Sequence, residues 1–373
     1  MTDICLIFEV HQPFRLNRNF PLDLLTCLKA GKEENLFKLY FDEELNKKNF
    51  DRIARECYLP ANEIILNQID KFKRGRKRFK VAYSLSGIFL EQCEMWNQDV
   101  MESFRQLAES GCVEFLAQTY YHSLASLFDS ENEFIEQIKM HQQTMQCIFN
   151  YKPQVFENAE CIYNNKIAQI AENLGYKAIV TEGTERILGW RKPNYVYKAK
   201  NSSIRILLRN YQLSDDIGFR FTSRDWKEWP LTADKYASWL AATRGEVITI
   251  FMDYETFGEH YRRESGIFAF LERLPIEIAK WNHLFFRNPS EVITRHKPLD
   301  EINVSEDETV SWADIERDVS AWLGNSLQKA SFNLLKEVEP VAKDIGNVEL
   351  IKIWRYLQTS DHLYYICLLY TSP

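Results

Sequence analysis

Short apolar runs alternate with longer stretches of helical periodicity over residues 1–300. Helical patterns such as Met101–Glu109 and Asn132–Phe149 lie between most of these runs. Buried strands that alternate with helices predict a parallel sheet. Seven runs favour an incomplete or distorted α/β barrel, with an open doubly wound sheet as the alternative. The predicted strands are Ile4–Glu9, Lys80–Ser84, Val113–Ala117, Gln154–Asn158, Ala178–Thr181, Ile204–Leu208 and Val247–Met252.

The pattern changes after residue 300. The segment Asn303–Thr309 is polar, and helical patterns follow at Trp312–Leu323, Ser326–Glu337 and Asn347–Ser360. We therefore expect a barrel domain over residues 1–300 and a helical region over residues 301–366 that packs on it. Residues 367–373 do not resemble a natural ending, so we expect a non-native tail on a truncated chain.

Composition narrows the class of protein. The chain has 373 residues and a net charge of −7 without a long basic run, which disfavours nucleic-acid binding. No apolar stretch approaches the ~18 residues of a membrane span. The eight cysteines form no CxxC pair and no signal peptide precedes them, so we expect reduced thiols and a cytoplasmic protein.

Polar residues follow several predicted strands, and chemistry in parallel barrels collects at the carboxyl ends of strands. His11 and Gln12 follow the first strand and could hydrogen-bond sugar hydroxyls. Asp253 comes directly after the seventh strand, and this is the strongest local signal in the chain. We also expect Gly258, soon after it, to allow a tight turn close to a ligand. Aromatic residues make up 14% of the chain, which suits either core packing or a carbohydrate groove.

Three further acidic residues are candidates. Glu114 lies among Val113, Phe115 and Leu116, so it is either paired within the fold or directed into a site. Glu157 and Glu160 differ in strand parity, so only one of them is expected to face the barrel mouth. These residues alone leave the choice between Glu157 and Glu160 open.

Two aromatic positions and one metal hypothesis complete the candidates. Trp312 and Trp322 are ten residues apart, which on one helix places them near one face, as core residues or as a sugar platform. Asp253, His260 and His11 could bind a metal, but no HxH or HExxH spacing accompanies them. We therefore predict a site without metal or cofactor.

In their order along the chain, five blocks resemble the motifs of glycoside hydrolase family 57. The blocks are His11-Gln12-Pro13, the segment around Glu114, the segment around Glu160, Asp253–Gly258 and Trp312–Asn325. The sequences of Asn210–Ile217 and Ala313–Asp318 are most similar to those of the archaeal-type α-amylase subgroup. The block around Glu160 lacks the preceding Trp and following Arg of the glucanotransferase version.

The resemblance implies an incomplete (β/α)7 barrel that hydrolyses α-1,4 bonds in starch- or glycogen-type α-glucans with retention of configuration. It implies that Glu160 is the nucleophile and Asp253 the general acid/base. The substrate-binding residues would be His11, Gln12, Glu114, His122, Phe257, Trp312 and Trp322. A 4-α-glucanotransferase or branching enzyme is the alternative within the family. A metal-dependent polysaccharide deacetylase and a non-catalytic glycan-binding protein are the alternatives outside it.

Overall fold

The computed structural model describes residues 1–20 and 36–368 and contains a ten-stranded, mostly parallel sheet. All seven predicted strands are present. The three strands that the sequence did not predict are two or three residues long, too short for a periodic signal. The strands are β1 Thr2–Val10, β2 Val81–Leu85, β3 Val113–Leu116, β4 Val155–Glu157, β5 Ala178–Glu182, β6 Tyr197–Ala199, β7 Arg205–Arg209, β8 Val247–Asp253, β9 Leu284–Phe286 and β10 Glu301–Ile302.

Helices cover the sheet and form the carboxyl-terminal part. They are α1 Leu36–Tyr40, α2 Glu43–Ile53, α3 Leu59–Phe72, α4 Gly87–Trp96, α5 Gln98–Glu109, α6 Asn132–Phe149, α7 Asn165–Asn173, α8 Glu185–Leu188, α9 Tyr211–Gly218, α10 Ala233–Ala242, α11 Ile267–Ala279, α12 Pro289–Arg295, α13 Ser320–Leu323, α14 Ser326–Ile345, α15 Val348–Tyr356 and α16 Ser360–Leu368. A π-helical turn, Ala54–Tyr58, joins α2 to α3. Across the described parts of the chain, no helix is both long enough and apolar enough to span a membrane.

The sheet is an incomplete barrel, as predicted. Strand β1 pairs in parallel with β2 and β8, β2 continues to β3, β8 continues to β7, and β7 pairs with β5, which pairs with β4. The sheet of regular strands is not closed, because only one isolated bridge, Ala117–Phe156, joins the β3 side to β4. Two backbone hydrogen bonds flank this bridge, from Ala117 N to Val155 O (2.9 Å) and from Glu157 N to Ala117 O (2.8 Å).

Side chains alternate between two buried faces along each strand, which is why the strands read as continuous apolar runs. In β1, Ile4, Leu6 and Phe8 pack beneath the helices, whereas Cys5 and Ile7 lie inside the barrel. The inner cluster continues with Ala82, Leu116, Val155, Val180, Leu207 and Phe251 from the other strands. At the carboxyl end, the last inward position of several strands is polar instead of apolar.

The carboxyl-terminal helices pack on the barrel side that carries β5 and β7. Trp322, Trp354 and Leu363 share one buried cluster with Ile179 and Ile206. The helical region that was expected to follow the barrel is therefore present. The five residues 369–373 of the expected tail lie outside the described residues.

The prediction of one helix over Trp312–Leu323 is wrong. Only Ser320–Leu323 is helical, and the preceding segment turns twice through left-handed backbone, at Asp314 (φ 52°) and Arg317 (φ 52°). Ser311 Oγ closes this loop by donating to Asp318 O at 2.5 Å. Trp312 and Trp322 therefore do not share a helical face.

Candidate active site

A layer of polar side chains occupies the carboxyl end of the barrel interior. Each of these residues has the same strand parity as the apolar residues below it, so its side chain faces the same interior. All except Asp253 are almost completely buried. They are Glu9 of β1, Ser84 of β2, Glu157 of β4, Glu182 of β5, Arg209 of β7 and Asp253 of β8.

Glu157 and Glu160 occupy the end of β4 and the turn after it. Glu157 is fully buried, accepts from Ser84 Oγ at 2.9 Å, and accepts from Cys161 N at 3.3 Å. Glu160 lies beyond the strand in a 3-10 turn and has a left-handed backbone (φ 62°), which is costly for a residue with a side chain. The strand-parity argument is therefore wrong for this pair, because Glu160 is not on the strand.

Three groups surround the Glu160 carboxylate. Trp312 Nε1 donates to Oε2 at 2.7 Å, Ser360 Oγ donates to Oε1 at 2.7 Å, and His122 Nε2 lies 3.5 Å from Oε1. The Trp312 backbone N also donates to Glu160 O at 3.2 Å, which holds the strained turn. The side chain keeps 15% of its surface exposed, so it is accessible where Glu157 is not.

These contacts determine the charge of Glu160. Burial by itself raises the pKa of this carboxyl, but the nearby His122 and the hydrogen bond from Trp312 outweigh burial and lower it. Glu157 has the opposite balance, because burial raises its pKa to about 8 although His122 and Ser84 oppose that change. The two glutamates therefore differ in charge at neutral pH, with Glu160 ionised.

Asp253 is the last residue of β8 and is partly exposed. Burial and the charge of Glu160 raise its pKa, and His260 opposes them. Next to it, burial raises the pKa of Glu255 to about 8, although the Tyr58 hydroxyl donates to this carboxyl at 2.5 Å. The barrel mouth thus holds ionised Glu160 beside carboxyl groups that bind protons more tightly than usual.

Two stacked histidines line the same end. The rings of His11 and His122 lie 4.1 Å apart at an interplanar angle of 24°. Burial and the charge of His122 lower the pKa of His11 to about 4, so His11 is neutral. Burial alone would lower the pKa of His122, but the surrounding carboxylates, Glu160 first, raise it above the ordinary value. His122 therefore favours its protonated form, whose positive charge stabilises ionised Glu160.

Further contacts fix both rings. His11 Nδ1 lies 2.9 Å from Ser86 Oγ, and its Nε2 lies 3.0 Å from Asp361 Oδ2. Because Ser86 Oγ also accepts from Phe89 N at 3.2 Å, its hydroxyl proton is free to be donated to His11. His122 Nδ1 lies 2.9 Å from Gln118 Oε1 and 3.3 Å from Glu9 Oε1, both of which are acceptors. These contacts suit a neutral His11 and a protonated His122.

A buried ionic cluster supports Trp312. Arg209 donates to Glu182 (3.0 Å) and Asp215 (2.5 Å), and Arg317 donates to the same two carboxyls at 2.6 and 2.8 Å. The guanidinium of Arg209 lies 5.5 Å from the centre of the Trp312 ring, and Arg317 donates to Trp312 O at 3.1 Å. Trp312 is thereby held in place to donate to Glu160.

Not every predicted residue reaches this site. His11, His122, Trp312, Glu160 and Asp253 lie together at the carboxyl end of the barrel. Gln12 is buried beside them, where its carbonyl accepts from Gln92 Nε2 at 2.6 Å.

The structure does not bring Glu114, Phe257 or Trp322 to this site. Glu114 lies near the amino end of β3 and accepts from both N (3.0 Å) and Oγ (2.8 Å) of Ser290. Phe257 is buried in the core, 5.7 Å from the Phe8 ring centre, and Trp322 is buried among the carboxyl-terminal helices. We therefore correct the expectation that these three side chains bind substrate.

Gly258 approaches protein, not ligand. A Cβ added there would lie 2.0 Å from Glu56 O, and the residue has φ 121°. The glycine thus lets the loop after Asp253 pack against the π-helical turn Ala54–Tyr58, and the expectation of a close ligand is corrected.

Several site residues were missed. Glu9, Ser84, Glu182 and Arg209 could have been found from one signal, a polar residue at the last inward position of a strand. Ser360, Asp361 and Arg317 have no such signal, because only the packing of the carboxyl-terminal region brings them to the barrel. Within the residues that the structure describes, no three His, Cys, Asp or Glu side chains form a group that could hold a metal ion.

Comparisons with known proteins agree with this fold. Residues 5–305 match the sequence model of Glycosyl hydrolase family 57. A protein of Methanocaldococcus jannaschii named "Putative alpha-amylase" is 53% identical over 366 residues, which are 96% of this chain and 75% of that protein.

Solved structures show the same architecture. A family 57 branching enzyme from Thermococcus kodakaraensis superposes with a TM-score of 0.71 at 13% identity, over 98% of this chain and 86% of that one. The 4-alpha-glucanotransferase from Thermococcus litoralis superposes with a TM-score of 0.61 at 16% identity, over 92% of this chain. This chain spans 47% of the length of the latter enzyme. At such identities the likeness establishes the fold alone.

Proposed function

This chain belongs to glycosyl hydrolase family 57, and we propose that it cleaves α-1,4 bonds of starch- or glycogen-type glucans with retention of configuration. The main support for the proposal is that the pKa values of two carboxyl groups at one end of the barrel are shifted in opposite directions. The pKa of Glu160 is lowered and that of Asp253 is raised. Two carboxyl groups whose environments separate their pKa values are what acid/base and nucleophilic roles require. The name of the 53% identical relative supports the substrate class.

In the first step, ionised Glu160 is the nucleophile. One of its carboxylate oxygens attacks the anomeric carbon and forms a glycosyl ester, while the bond to the leaving oxygen breaks. Asp253 donates its proton to that leaving oxygen, and its raised pKa favours the protonated form that this step needs. Trp312 and Ser360 donate to Glu160 and hold its carboxylate ready for attack.

In the second step, Asp253 is ionised and accepts a proton from water. The water oxygen bonds to the anomeric carbon, the ester bond to Glu160 breaks, and both carboxyl groups return to their starting states. Retention by this route requires the two carboxyl groups to lie about 5–5.5 Å apart. A separation of ~8 Å or more in a crystal structure would indicate inversion and contradict the proposal.

The histidine pair and Asp361 are proposed to border the glucosyl unit that is attacked. Asp361 keeps 21% of its side chain exposed, so its carboxylate can accept hydrogen bonds from sugar hydroxyls. Protonated His122 offsets the negative charge that Glu160 regains as the ester breaks.

Product analysis tests the activity. We expect wild-type protein to release new reducing ends from starch and maltoheptaose, and the first products seen by proton NMR to be α-anomers. First-formed β-anomers would reject the retaining mechanism.

The same reactions test the alternatives. Oligosaccharides longer than maltoheptaose without a net gain of reducing ends would identify a glucanotransferase, because a sugar hydroxyl can replace water in the second step. New α-1,6 branch points would identify a branching enzyme. Release of acetate from an acetylated polysaccharide, lost in EDTA, would identify a deacetylase and reject the proposal.

A further inference from the structure

A cavity of about 680 Å³ opens beside the barrel mouth. Gly183 and Asn210 line it, and they directly follow Glu182 and Arg209 at the ends of β5 and β7. We call it the lateral pocket, and define it by Gly183, Asn210, Tyr211, Trp226 and Trp239. None of these residues belongs to the constellation around Glu160, so the pocket has no role in the steps above.

Aromatic rings form part of its lining. Tyr211, Trp226 and Trp239 are each partly exposed, and the two indoles lie 6.0 Å apart in an edge-to-face arrangement. Trp190 is 83% exposed and lies between Gly189 and Arg191, both of which line the pocket. An indole left this exposed gains little from the fold, whereas aromatic faces suit the apolar faces of sugar rings.

The charges in the lining indicate the class of ligand. Three acidic and three basic side chains line the pocket, so the lining has no net charge: Glu185, Asp216 and Glu228 against Arg191, Lys192 and Arg220. The side-chain amides of Asn194, Asn210 and Gln212 also line the pocket. A lining rich in donors and acceptors, without net charge, fits a neutral polyhydroxylated ligand better than a phosphate or a carboxylate.

The pocket is linked to the reaction centre through two side chains. The guanidinium of Arg317 lies 4.4 Å from the centre of the ring of Tyr211, which lines the pocket. The same Arg317 donates to Trp312 O, and Trp312 donates to Glu160. The pocket and the reaction centre thus share Arg317 as a common neighbour.

We propose that the lateral pocket binds α-glucan, holding a stretch of the chain remote from the bond that is cleaved. This inference rests on the proposed function for the identity of the ligand. It adds a binding site that would favour long chains over short ones.

Direct binding tests this inference without relying on turnover. Maltoheptaose is titrated by calorimetry into the full chain carrying Glu160→Ala, with and without Trp226→Ala. Loss of an aromatic anchor is expected to raise the Kd about tenfold. The matched control is Trp281→Ala, since Trp281 is 40% exposed and lies after α11, near the start of β9. Here the Kd is expected to stay within about twofold.

A second variant guards against misfolding, because Trp226 packs on Trp239. Gln212→Arg alters an exposed residue at the pocket and should also raise the Kd without disturbing the core. Unchanged affinity in both pocket variants, or no binding at all, would overturn the inference. Failure of the wild type to cleave glucan, with binding that both pocket variants weaken, would reject the proposed function and leave the pocket as a glucan site.

Discussion

Glu157 and Glu160, three positions apart at the end of β4, differ in charge. Glu157 is enclosed and favours its protonated form, whereas Glu160 is reachable and is surrounded by donors. The residue types alone could not separate them, since the difference comes from a left-handed turn and from His122, Trp312 and Ser360. Asp253, in contrast, could be predicted from its place at the end of a long apolar run.

The charge of His122 predicts the acid side of the pH profile. His122 lowers the pKa of Glu160, so His122→Asn should raise that pKa. Activity needs ionised Glu160, and therefore the acid limb of kcat/KM should move to higher pH. The measurement is a pH profile of maltoheptaose hydrolysis.

His260→Asn provides the control for this profile. His260 lowers the pKa of Asp253, so its loss should move the alkaline limb to higher pH and leave the acid limb in place. An acid limb that does not move in His122→Asn would contradict the account of how Glu160 stays ionised.

At the scale of elements, regular strands could be predicted and irregular segments could not. Periodicity located all seven barrel strands and α6, because each buries a continuous set of side chains. It failed at Trp312–Leu323, where Arg317 is drawn into ion pairs with Glu182 and Asp215 and the backbone turns left-handed. Contacts between segments far apart in sequence decide such a loop, and no local pattern encodes them.

The buried end of β7 gives a stability prediction. Arg209 is 1% exposed and forms ion pairs with both Glu182 and Asp215. Arg209→Gln removes the positive charge from both pairs and leaves the two buried carboxylates without it. Breaking a buried pair in this way should cost about 3–5 kcal/mol of unfolding free energy in a urea titration.

The matched control lies at the other end of the same strand. Within the described part of the chain, the Arg205 side chain forms one hydrogen bond, to Ser203 O at 3.1 Å, and no ion pair. Arg205→Gln should therefore change the free energy of unfolding by no more than about 0.5 kcal/mol. Equal losses in the two variants would show that the ionic cluster is not what holds β7 in place.

At the scale of the whole molecule, the site belongs to both parts of the chain. The family match ends at residue 305, yet Trp312, Arg317, Ser360 and Asp361 all lie beyond it and reach the barrel mouth. The sequence predicted a helical region that packs on the barrel. From this region it predicted Trp312 at the site, and Trp312 does contact Glu160. It did not predict Ser360 or Asp361, because their positions depend on where α16 docks.

Removing one hydroxyl group tests whether the docking of α16 matters for catalysis. Ser360→Ala removes the donor to Glu160 Oε1 and should lower kcat/KM for maltoheptaose about tenfold, since a hydrogen bond to a charged group contributes ~1.5–3 kcal/mol. Ser320→Ala, at the exposed start of α13, should stay within about twofold. Equal values of kcat/KM in the two variants would show that this contact from the carboxyl-terminal region does not contribute to catalysis.

Chemical rescue tests the central claim, that Glu160 is the nucleophile of a retaining site. Glu160→Ala should be inactive, and sodium azide should restore cleavage by attacking from the vacated side, so that a β-glycosyl azide accumulates. Glu157→Ala, three residues away, should give no azide product. A glycosyl azide formed by Glu157→Ala and not by Glu160→Ala would contradict the account.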